Sequence, residues 1–343
     1  MARLNEKDYS KEEMLRYCGN INQIGSITKS SLLDGKADGT NIYTVKTGGG
    51  LEYTLVPSKC LDITSLSFKG TNISLLAKPG ITSPKYAHPF GNDFLYYVTG
   101  GMLFTCGLKN VGSSCEENGE YHPIHGRIGI TPAQNTSARG YWVGNEYVLE
   151  AYGEMNESAL FGSNLCLKRT ISSKLGQNEI IINDVLENNS PYEEDFMLLY
   201  HFNFGFPFLD EDTKIIFPQN NIEPRDKNAE IGLKESEKNS LPLDNYDEQV
   251  FYRDVVADKD GKVKIQIINN RLGIKAIIEY EQKNLPILTQ WKSMKSTDYA
   301  LGIEPCNCLV FSRVKAQESG KIKKIKPFEK IEFILKLLIS ELI

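Results

Sequence analysis

Residues 251–281, FYRDVVADKDGKVKIQIINNRLGIKAIIEYE, show most clearly the pattern that decides the fold. Three runs rich in β-branched and aromatic residues are separated by two polar, glycine-containing clusters, which are strong turn signals. The runs are Phe251 to Val256, Lys262 to Asn269 and Ile274 to Glu281, and the turns are Asp258-Lys259-Asp260-Gly261 and Asn270-Arg271-Leu272-Gly273. The stretch therefore predicts three antiparallel strands.

The same pattern extends through the chain from Gln23 onward, with turn residues at intervals of about eight to twelve positions. Further paired runs are Asn41 to Lys46 with Leu51 to Val56, Cys60 to Phe68 with Asn72 to Ala77, Tyr141 to Val143 with Tyr147 to Leu149, and Leu165 to Ser172 with Glu179 to Glu187. No repeat of fixed period is present, which argues against a propeller or a solenoid. We expect an all-β fold, a large antiparallel β-sandwich in one domain over residues 1–343.

Three segments depart from this pattern. Ser10-Lys11-Glu12-Glu13 is a capping box, so Ser10 to Cys18 is predicted to form a short peripheral helix within residues 1–20. Residues 218–246 are polar with little apolar periodicity, which predicts a long surface loop. The apolar segment Ile331 to Ile343 is too short to span a bilayer and is predicted to form a closing strand.

Composition excludes several classes of protein. A net charge of -5 argues against a general nucleic-acid binder, and the one basic run, Lys321 to Lys326, is interpreted as a solvated strand edge or turn. The segment Met1 to Asp8 lacks the apolar core of a secretory signal, so we expect a cytoplasmic protein without a membrane partner. Seven cysteines without a paired framework are expected to be buried free thiols.

Two of the four histidines lie in the stretch Tyr121-His122-Pro123-Ile124-His125-Gly126-Arg127, which continues to Ala133. If this stretch is a strand, the period of two places His125 and Arg127 on one face and the isoleucines on the other. Imidazole and guanidinium groups on one face can converge on one bound group. The spacing His122-x-x-His125 with Glu120 nearby leaves a metal site open as an alternative, although no third ligand has a recognised spacing.

Two later stretches offer polar groups suited to hydroxyls. In Tyr200 to Gly205, taken as a strand, His201 and Asn203 share one face and the aromatic residues share the other. Glu304 precedes Pro305, whose missing N–H predicts a strand end or bulge, and a carboxylate at a strand end commonly faces a cleft. Each residue alone also fits a structural role: a core histidine, a salt-bridged glutamate. Together the three stretches indicate one sugar-handling cleft without a cofactor.

At these residues the chain resembles the galactose mutarotase-like superfamily, the aldose 1-epimerases, and within it the branch called DUF4432. The resemblance covers nearly the whole chain. Its matching pieces, in order, are Ser58 to Ile63, Gly100 to Leu108, His125-Gly126-Arg127 with Pro132-Ala133, Leu199-Tyr200-His201-x-Asn203-x-Gly205, and Leu301-Gly302-Ile303-Glu304-Pro305-Cys306-Asn307.

The resemblance implies a β-supersandwich whose concave cleft interconverts the α and β anomers of a free sugar. Carried over by motif, Glu304 is the catalytic base and His201 the catalytic acid, with His125 near the ring oxygen. Arg127 and Asn203 would bind other hydroxyls, and Asp62 matches an acidic position of the branch that either binds substrate or caps a turn. Trp291 is expected to provide an aromatic platform for the sugar, with a core tryptophan as the alternative.

The chain departs from the family pattern at two places, and both bear on the residue roles that the resemblance implies. Lys59 stands where the branch usually has Arg, and lysine cannot form a planar bidentate contact. The segment around His201 lacks the Asn-His-x-Tyr-Phe-Asn-Leu form of well-studied aldose epimerases. The leading hypothesis is an aldose 1-epimerase-like isomerase. The alternatives are a non-catalytic sugar-binding protein and a metal-dependent isomerase or lyase built on His122, His125 and Glu120. A monomer and a homodimer both remain open.

Overall fold

The computed structural model describes residues 2–4 and 7–342, and β-strands dominate it. The strands in chain order are β1 (Ala2–Leu4), β2 (Lys7–Tyr9), β3 (Ser26–Ser31), β4 (Asn41–Lys46), β5 (Leu51–Val56), β6 (Asp62–Phe68), β7 (Thr71–Asn72), β8 (Leu103–Leu108), β9 (Cys115–Glu117), β10 (Glu120–His122), β11 (Gln134–Val143), β12 (Glu146–Ser158), β13 (Asn164–Lys174), β14 (Glu179–Asn188), β15 (Glu194–Phe204), β16 (Lys214–Ile216), β17 (Asn220–Pro224), β18 (Gln249–Val255), β19 (Lys262–Asn269), β20 (Ile274–Glu281), β21 (Ile287–Lys295), β22 (Asp298–Cys306), β23 (Lys323–Ile325) and β24 (Lys330–Glu341). The α-helices are α1 (Lys11–Tyr17), α2 (Lys227–Gly232) and α3 (Arg313–Glu318), and 3₁₀ helices are Ile21–Gln23, Gly35–Ala37, Pro84–Tyr86, Asp93–Tyr96, Ile128–Ile130 and Leu233–Glu235. The predicted all-β class is confirmed.

Three large antiparallel sheets form the body of the protein. One has eight strands in the order β11-β12-β13-β14-β24-β20-β19-β16, and a second has five in the order β3-β4-β5-β6-β7. The third, hereafter the site sheet, runs β17-β18-β21-β22-β15-β23, with β8 also paired to β15. Alternate residues of all three sheets, such as Tyr53, Leu167 and Phe202, meet in one hydrophobic core. The predicted antiparallel sandwich is thereby confirmed.

The meander at 251–281 is distributed between two sheets. Its three predicted strands correspond to β18, β19 and β20. β19 and β20 pair within the eight-stranded sheet, whereas β18 pairs with β17 and β21 in the site sheet. The connection around Asp258 to Gly261 therefore carries the chain from one layer to the other.

The prediction of a loop over residues 218–246 is wrong in part, because β17 and α2 lie within it. β17 forms the edge of the site sheet beside β18, and the Asp226 side chain caps α2 by accepting from the N–H groups of Asn228 and Ala229. Alternation is weak in an edge strand, and a one-and-a-half-turn helix has too few residues to show apolar periodicity. The predicted strand from Asn72 to Ala77 is also reduced to β7 and isolated bridges at Ser74 and Leu76.

Other local predictions agree with the structure. The Ser10 side chain and Glu13 form the capping box of α1, and β24 lies between β14 and β20 as a long inner strand. The basic run contributes β23, which pairs with one end of β15. All seven cysteines are free, and all but Cys115 are buried. Residues 1, 5 and 6 of the predicted N-terminal region, and residue 343 of the closing strand, lie outside the described residues.

A buried ion-pair network joins the three sheets. Arg169 of β13 is fully buried and donates to both carboxylate oxygens of Asp184 on β14, at 2.9 and 2.6 Å. Its remaining terminal nitrogen donates to Asp62 of β6 at 2.5 Å. Thr105 of β8 donates to the same aspartate from its N–H and hydroxyl, and the Tyr200 hydroxyl of β15 donates to Asp184 at 2.8 Å. Burial raises the pKa of Asp62 to about 6, against the opposing effects of Arg169 and Thr105.

None of the helices in the described part of the chain has the length and apolarity that a membrane crossing requires.

We expect Arg169→Ala to lower the free energy of unfolding by about 3–5 kcal/mol, because it leaves two carboxyl groups buried without their partner. Urea or guanidinium unfolding followed by circular dichroism measures the change. Arg139→Ala is the matched control: its pair with Glu150 is exposed, so its loss costs about 0–1 kcal/mol. Equal losses for the two variants would show that the network does not hold the sheets together.

Candidate functional site

Strand β15 changes chemical character along one of its faces. Tyr200, Phe202 and Phe204 point into the main core, as the sequence predicts. The opposite face is apolar at Met197 and Leu199, which pack in a second cluster with Cys106 and Cys306, and then becomes polar. The side chains that follow on this face are His201 and Asn203. The polar pair is therefore supported on an apolar base that excludes water.

The register of β15 and β22 brings the predicted acid and base together. Phe202 is paired with Ile303 and Asn203 with Gly302, so His201 lies directly across from Glu304. The Nε2 atom of His201 is 3.1 Å from Oε1 of Glu304. Directly opposed residues of an antiparallel pair share one face of the sheet. The structure thus places on one face two residues that lie about a hundred positions apart in the sequence.

Gly302 leaves the space that this pair occupies. An added Cβ at Gly302 would lie 2.7 Å from Oε1 of Glu304, 2.8 Å from Cε1 of His201 and 3.0 Å from the Cβ of Trp291. Trp291 of β21 is the partner of Gly302 on the other side. A side chain at this position would therefore collide with three residues at once.

These residues form the floor of a pocket of about 210 Å³. His201, Asn203, Glu304 and Trp291 line it, together with His125. Its walls come from the segment around Leu75 to Ala77, from the 3₁₀ helix Asp93–Tyr96 with the residues up to Val98, and from Val250 and Val310. Phe104, Gly100, Arg225 and Glu248 complete the lining. Five of the seven site residues predicted from the sequence therefore share one pocket.

The predicted strand through His125 and Arg127 is wrong. β10 ends at His122, and a turn follows in which His125 has a φ of +57°. Gly126 packs so closely on Gly107 that a Cβ would come within 2.1 Å of the Gly107 carbonyl oxygen, so no side chain fits there. This tight turn, and not strand alternation, aims the His125 ring at the pocket, 6.2 Å from the His201 ring.

Arg127 and Asp62 do not reach the pocket. Arg127 donates to the Tyr121 carbonyl oxygen and lies 3.4 Å from Glu120, because the turn sends its side chain away from His125. Asp62 is occupied by Arg169 and Thr105 in the core. Lys59 is also buried: it donates to Tyr97 and Thr99 and so holds the segment that forms one wall of the pocket.

The lining also contains residues that the sequence did not predict, and two of them have charged side chains. Arg225 and Glu248 lie at the ends of β17 and β18, and the Trp291 indole donates to Glu248 at 2.8 Å. Arg225 donates to Glu248 at 3.1 Å and to Asp226 at 2.8 Å. The sequence contained one signal for Arg225. Asp226, the residue after it, is the N-cap of α2, so Arg225 is expected to have an ordered position.

The alternative metal site lacks a complete set of ligands. His122 is buried with Nδ1 3.9 Å from Glu120, while His125 lines the pocket. Among the described residues, no three His, Cys, Asp or Glu side chains gather in a way that holds a metal ion.

Several polar atoms at the pocket have no hydrogen-bond partner among the residues that the structure describes. These atoms are Oε1 of Glu304 and the Nδ1 atoms of His125 and His201. The approach of His201 to Glu304 is thus a close contact and not a hydrogen bond. Buried polar atoms are normally hydrogen-bonded, so unpaired ones at a pocket indicate a place for a polar ligand.

Burial also sets the protonation of the pair. It raises the pKa of Glu304 well above its usual range, and the charge of Glu248 adds to this effect. It lowers the pKa of His201 to about 3 and that of His125 to about 4. Burial therefore favours the uncharged form of both groups: the protonated carboxyl group of Glu304 and the neutral imidazole of His201. One group can give a proton while the other takes one.

Comparisons with known proteins point to one family. The model of the Domain of unknown function DUF4432 matches residues 37–339. A candidate aldose 1-epimerase from Klebsiella pneumoniae has a solved structure that is 25% identical, with a TM-score of 0.88 over 94% of this chain and 86% of that one. A search of curated proteins finds no significant match.

More distant solved structures share the fold. A galactose mutarotase-like protein from Clostridium acetobutylicum is 14% identical, with a TM-score of 0.65 over 94% of this chain and 100% of that one. A galactose 1-epimerase from Lactobacillus acidophilus is 13% identical, with a TM-score of 0.59 over 93% of this chain and 100% of that one. The galactose mutarotase-like fold predicted from the sequence is confirmed.

We expect the His201 ring to stay uncharged as the pH falls from about 7 to about 5. An ordinary histidine takes up its proton near pH 6.5, whereas burial holds the pKa of His201 at about 3. Side-chain NMR of ¹⁵N-histidine-labelled protein, assigned with His201→Gln, follows the ring. The denatured protein is the control and titrates near the ordinary value. A midpoint above about 6 in the folded protein would contradict the effect of burial.

Proposed function

This chain belongs to the DUF4432 family, and from that premise we propose that it is an aldose 1-epimerase-like isomerase that interconverts the α and β anomers of a free sugar. The single observation that carries the proposal is the cross-strand pair of His201 and Glu304, 3.1 Å apart, on the floor of a pocket. The similarity to the Klebsiella candidate aldose 1-epimerase supports the same reaction class.

The reaction needs one proton removed and one proton supplied. Removal of the proton from the C1 hydroxyl and protonation of the ring oxygen break the bond between C1 and that oxygen, which yields an open-chain aldehyde. Rotation about the C1–C2 bond presents the other face of the aldehyde. The hydroxyl then attacks that face and both protons return, so the enzyme is unchanged at the end of the cycle.

His201 and Glu304 supply these two functions. In the assignment implied by the resemblance, the Glu304 carboxylate takes the C1 proton and the His201 imidazolium gives one to the ring oxygen. The resting neutral pair holds the same number of protons as this charged pair. Transfer of one proton from Glu304 to His201 converts one form into the other, and hydrogen bonds from the sugar to both groups favour the charged form.

The other lining residues would hold the sugar. His125 offers an unpaired ring nitrogen near His201, and Asn203 has its amide nitrogen fixed to the His201 carbonyl oxygen at 3.0 Å. Trp291 provides an aromatic surface beside the pair, with its ring centroid 5.5 Å from that of His201. Aromatic rings pack well against the apolar CH face of a sugar. Arg127 and Asp62 take no part in this arrangement.

Replacement of Glu304 by Gln tests the proposal directly. Because Gln cannot exchange a proton in this role, we expect the rate of anomer exchange to fall about 10²–10⁴-fold while sugar binding persists. NMR exchange spectroscopy measures the rate, and calorimetry measures binding. Glu150→Gln, a change of the same chemistry on β12, is the control and should leave exchange intact. Exchange at the wild-type rate in Glu304→Gln would refute the proposal. Binding without exchange in the wild type would favour a non-catalytic sugar-binding protein.

Gly302→Ala is expected to lower the exchange rate about 10²-fold without loss of the fold. The added methyl group would displace Glu304 and His201, and small displacements of reacting groups have effects of this size. Gly19→Ala is the control, because a Cβ there meets nothing within 4 Å. Exchange measurements are combined with circular dichroism of both variants. Unchanged exchange in Gly302→Ala would mean that the close packing of the pair is not needed.

A further inference from the structure

The pocket has room for one sugar ring. Its volume of about 210 Å³ is that of about seven water molecules in the liquid. Sites for larger ligands usually start at about 300 Å³. A disaccharide would therefore extend out of the pocket.

The pocket offers no free positive charge among the residues that the structure describes. Among the described lining residues Arg225 is the one permanently charged cation, and two of its nitrogens donate to the carboxylates of Asp226 and Glu248. The rings of His125 and His201 are uncharged near neutral pH, because burial lowers the pKa of each. A phosphate or carboxylate group would thus meet Glu248 without an unpaired cation to balance it.

Lys59 and Arg127, the two cations named from the family pattern, lie outside the pocket. Lys59 donates to Tyr97 and Thr99, and Arg127 donates to the Tyr121 carbonyl oxygen. Neither side chain lines the pocket. The charge distribution consequently disfavours a phosphorylated or acidic sugar.

Two segments of the pocket wall are apolar, whereas the floor, Arg225 and Glu248 are polar. Leu75 and Ala77 come from one segment, and Phe94, Leu95 and Val98 come from the 3₁₀ helix Asp93–Tyr96 and the residues that follow it. A hydroxyl group pressed against such a wall loses its bonds to water without gaining a partner, which is unfavourable. A methyl group in the same place gains from burial.

We propose that the substrate is an uncharged monosaccharide in which an apolar group, such as methyl, replaces a group that carries a hydroxyl, such as hydroxymethyl. A 6-deoxyhexose is the simplest member of this class. The inference rests on the proposed function, since the reacting end of the sugar is assigned to His201 and Glu304. It adds that the far end lies against the apolar wall and carries no charge.

Matched sugars test this selectivity. For the galactose and mannose configurations, in both enantiomers, NMR exchange spectroscopy gives kcat/KM for the hexose, its 6-deoxy form, its 6-phosphate and its uronic acid. Within the best-accepted configuration, we expect the 6-deoxy sugar to exceed the hexose about tenfold and the anionic forms to fall at least about tenfold below it. An anionic form that equals the hexose, or a hexose that exceeds its 6-deoxy form, overturns the inference.

Binding of the same sugars separates failure of the selectivity from failure of the catalysis. If sugars bind without exchange, the proposed function fails and the order of the Kd values decides the selectivity by the same criteria. If no sugar of any configuration binds or reacts, both proposals fail.

Glu248→Gln gives an independent test, because it removes one of the two carboxylates that neutralise Arg225. We expect the ratio of kcat/KM for the 6-phosphate to that for the uncharged sugar to rise about tenfold. Glu150→Gln is the control and should leave the ratio unchanged. An unchanged ratio in Glu248→Gln would show that Glu248 does not set the charge preference.

Discussion

The whole architecture depends on one fully buried guanidinium group. Arg169 pairs with Asp184 inside its own sheet and with Asp62 on a second sheet, while the Tyr200 hydroxyl brings in the site sheet. A charge in the core is tolerated only when its partners are fixed around it, since an unpaired buried charge costs several kcal/mol. The relative positions of the three sheets are therefore restricted to arrangements that keep all these hydrogen bonds.

This restriction passes directly to the site, because Tyr200 and His201 are adjacent on β15. Tyr200 faces the network and is fully buried, so β15 has a fixed rotation, and His201 points out of the opposite face. The register with β22 then sets Glu304 across from His201, and Gly302 leaves room for both. The apolar cluster beneath them excludes water. Burial therefore lowers the pKa of His201 and raises the pKa of Glu304, and both shifts favour the uncharged form. The pairing of β15 with β22 thus determines how His201 and Glu304 pack, which residues face each other, and which protonation states burial favours.

Alternation within a single strand was sufficient to predict much of this site. It assigned Tyr200 to the core and His201 with Asn203 to the cleft. The strand end or bulge predicted at Pro305 is not found, because β22 continues through Pro305, which pairs with Leu288, to Cys306. Period-two patterns describe one strand and carry no information about which strand lies beside it, so the cross-strand pairing could not be derived from them.

The wrong prediction for His125 and Arg127 also has a local cause. His125 adopts a left-handed conformation in a turn, which breaks the alternation and turns Arg127 away from the cleft. A crystal structure with a monosaccharide bound is the most direct test of the roles assigned to His201 and Glu304. We expect the C1 hydroxyl and the ring oxygen to lie within about 3 Å of Glu304 and His201, with the ring against Trp291. A sugar bound away from the pair, or with its C1 end turned from it, would contradict these roles.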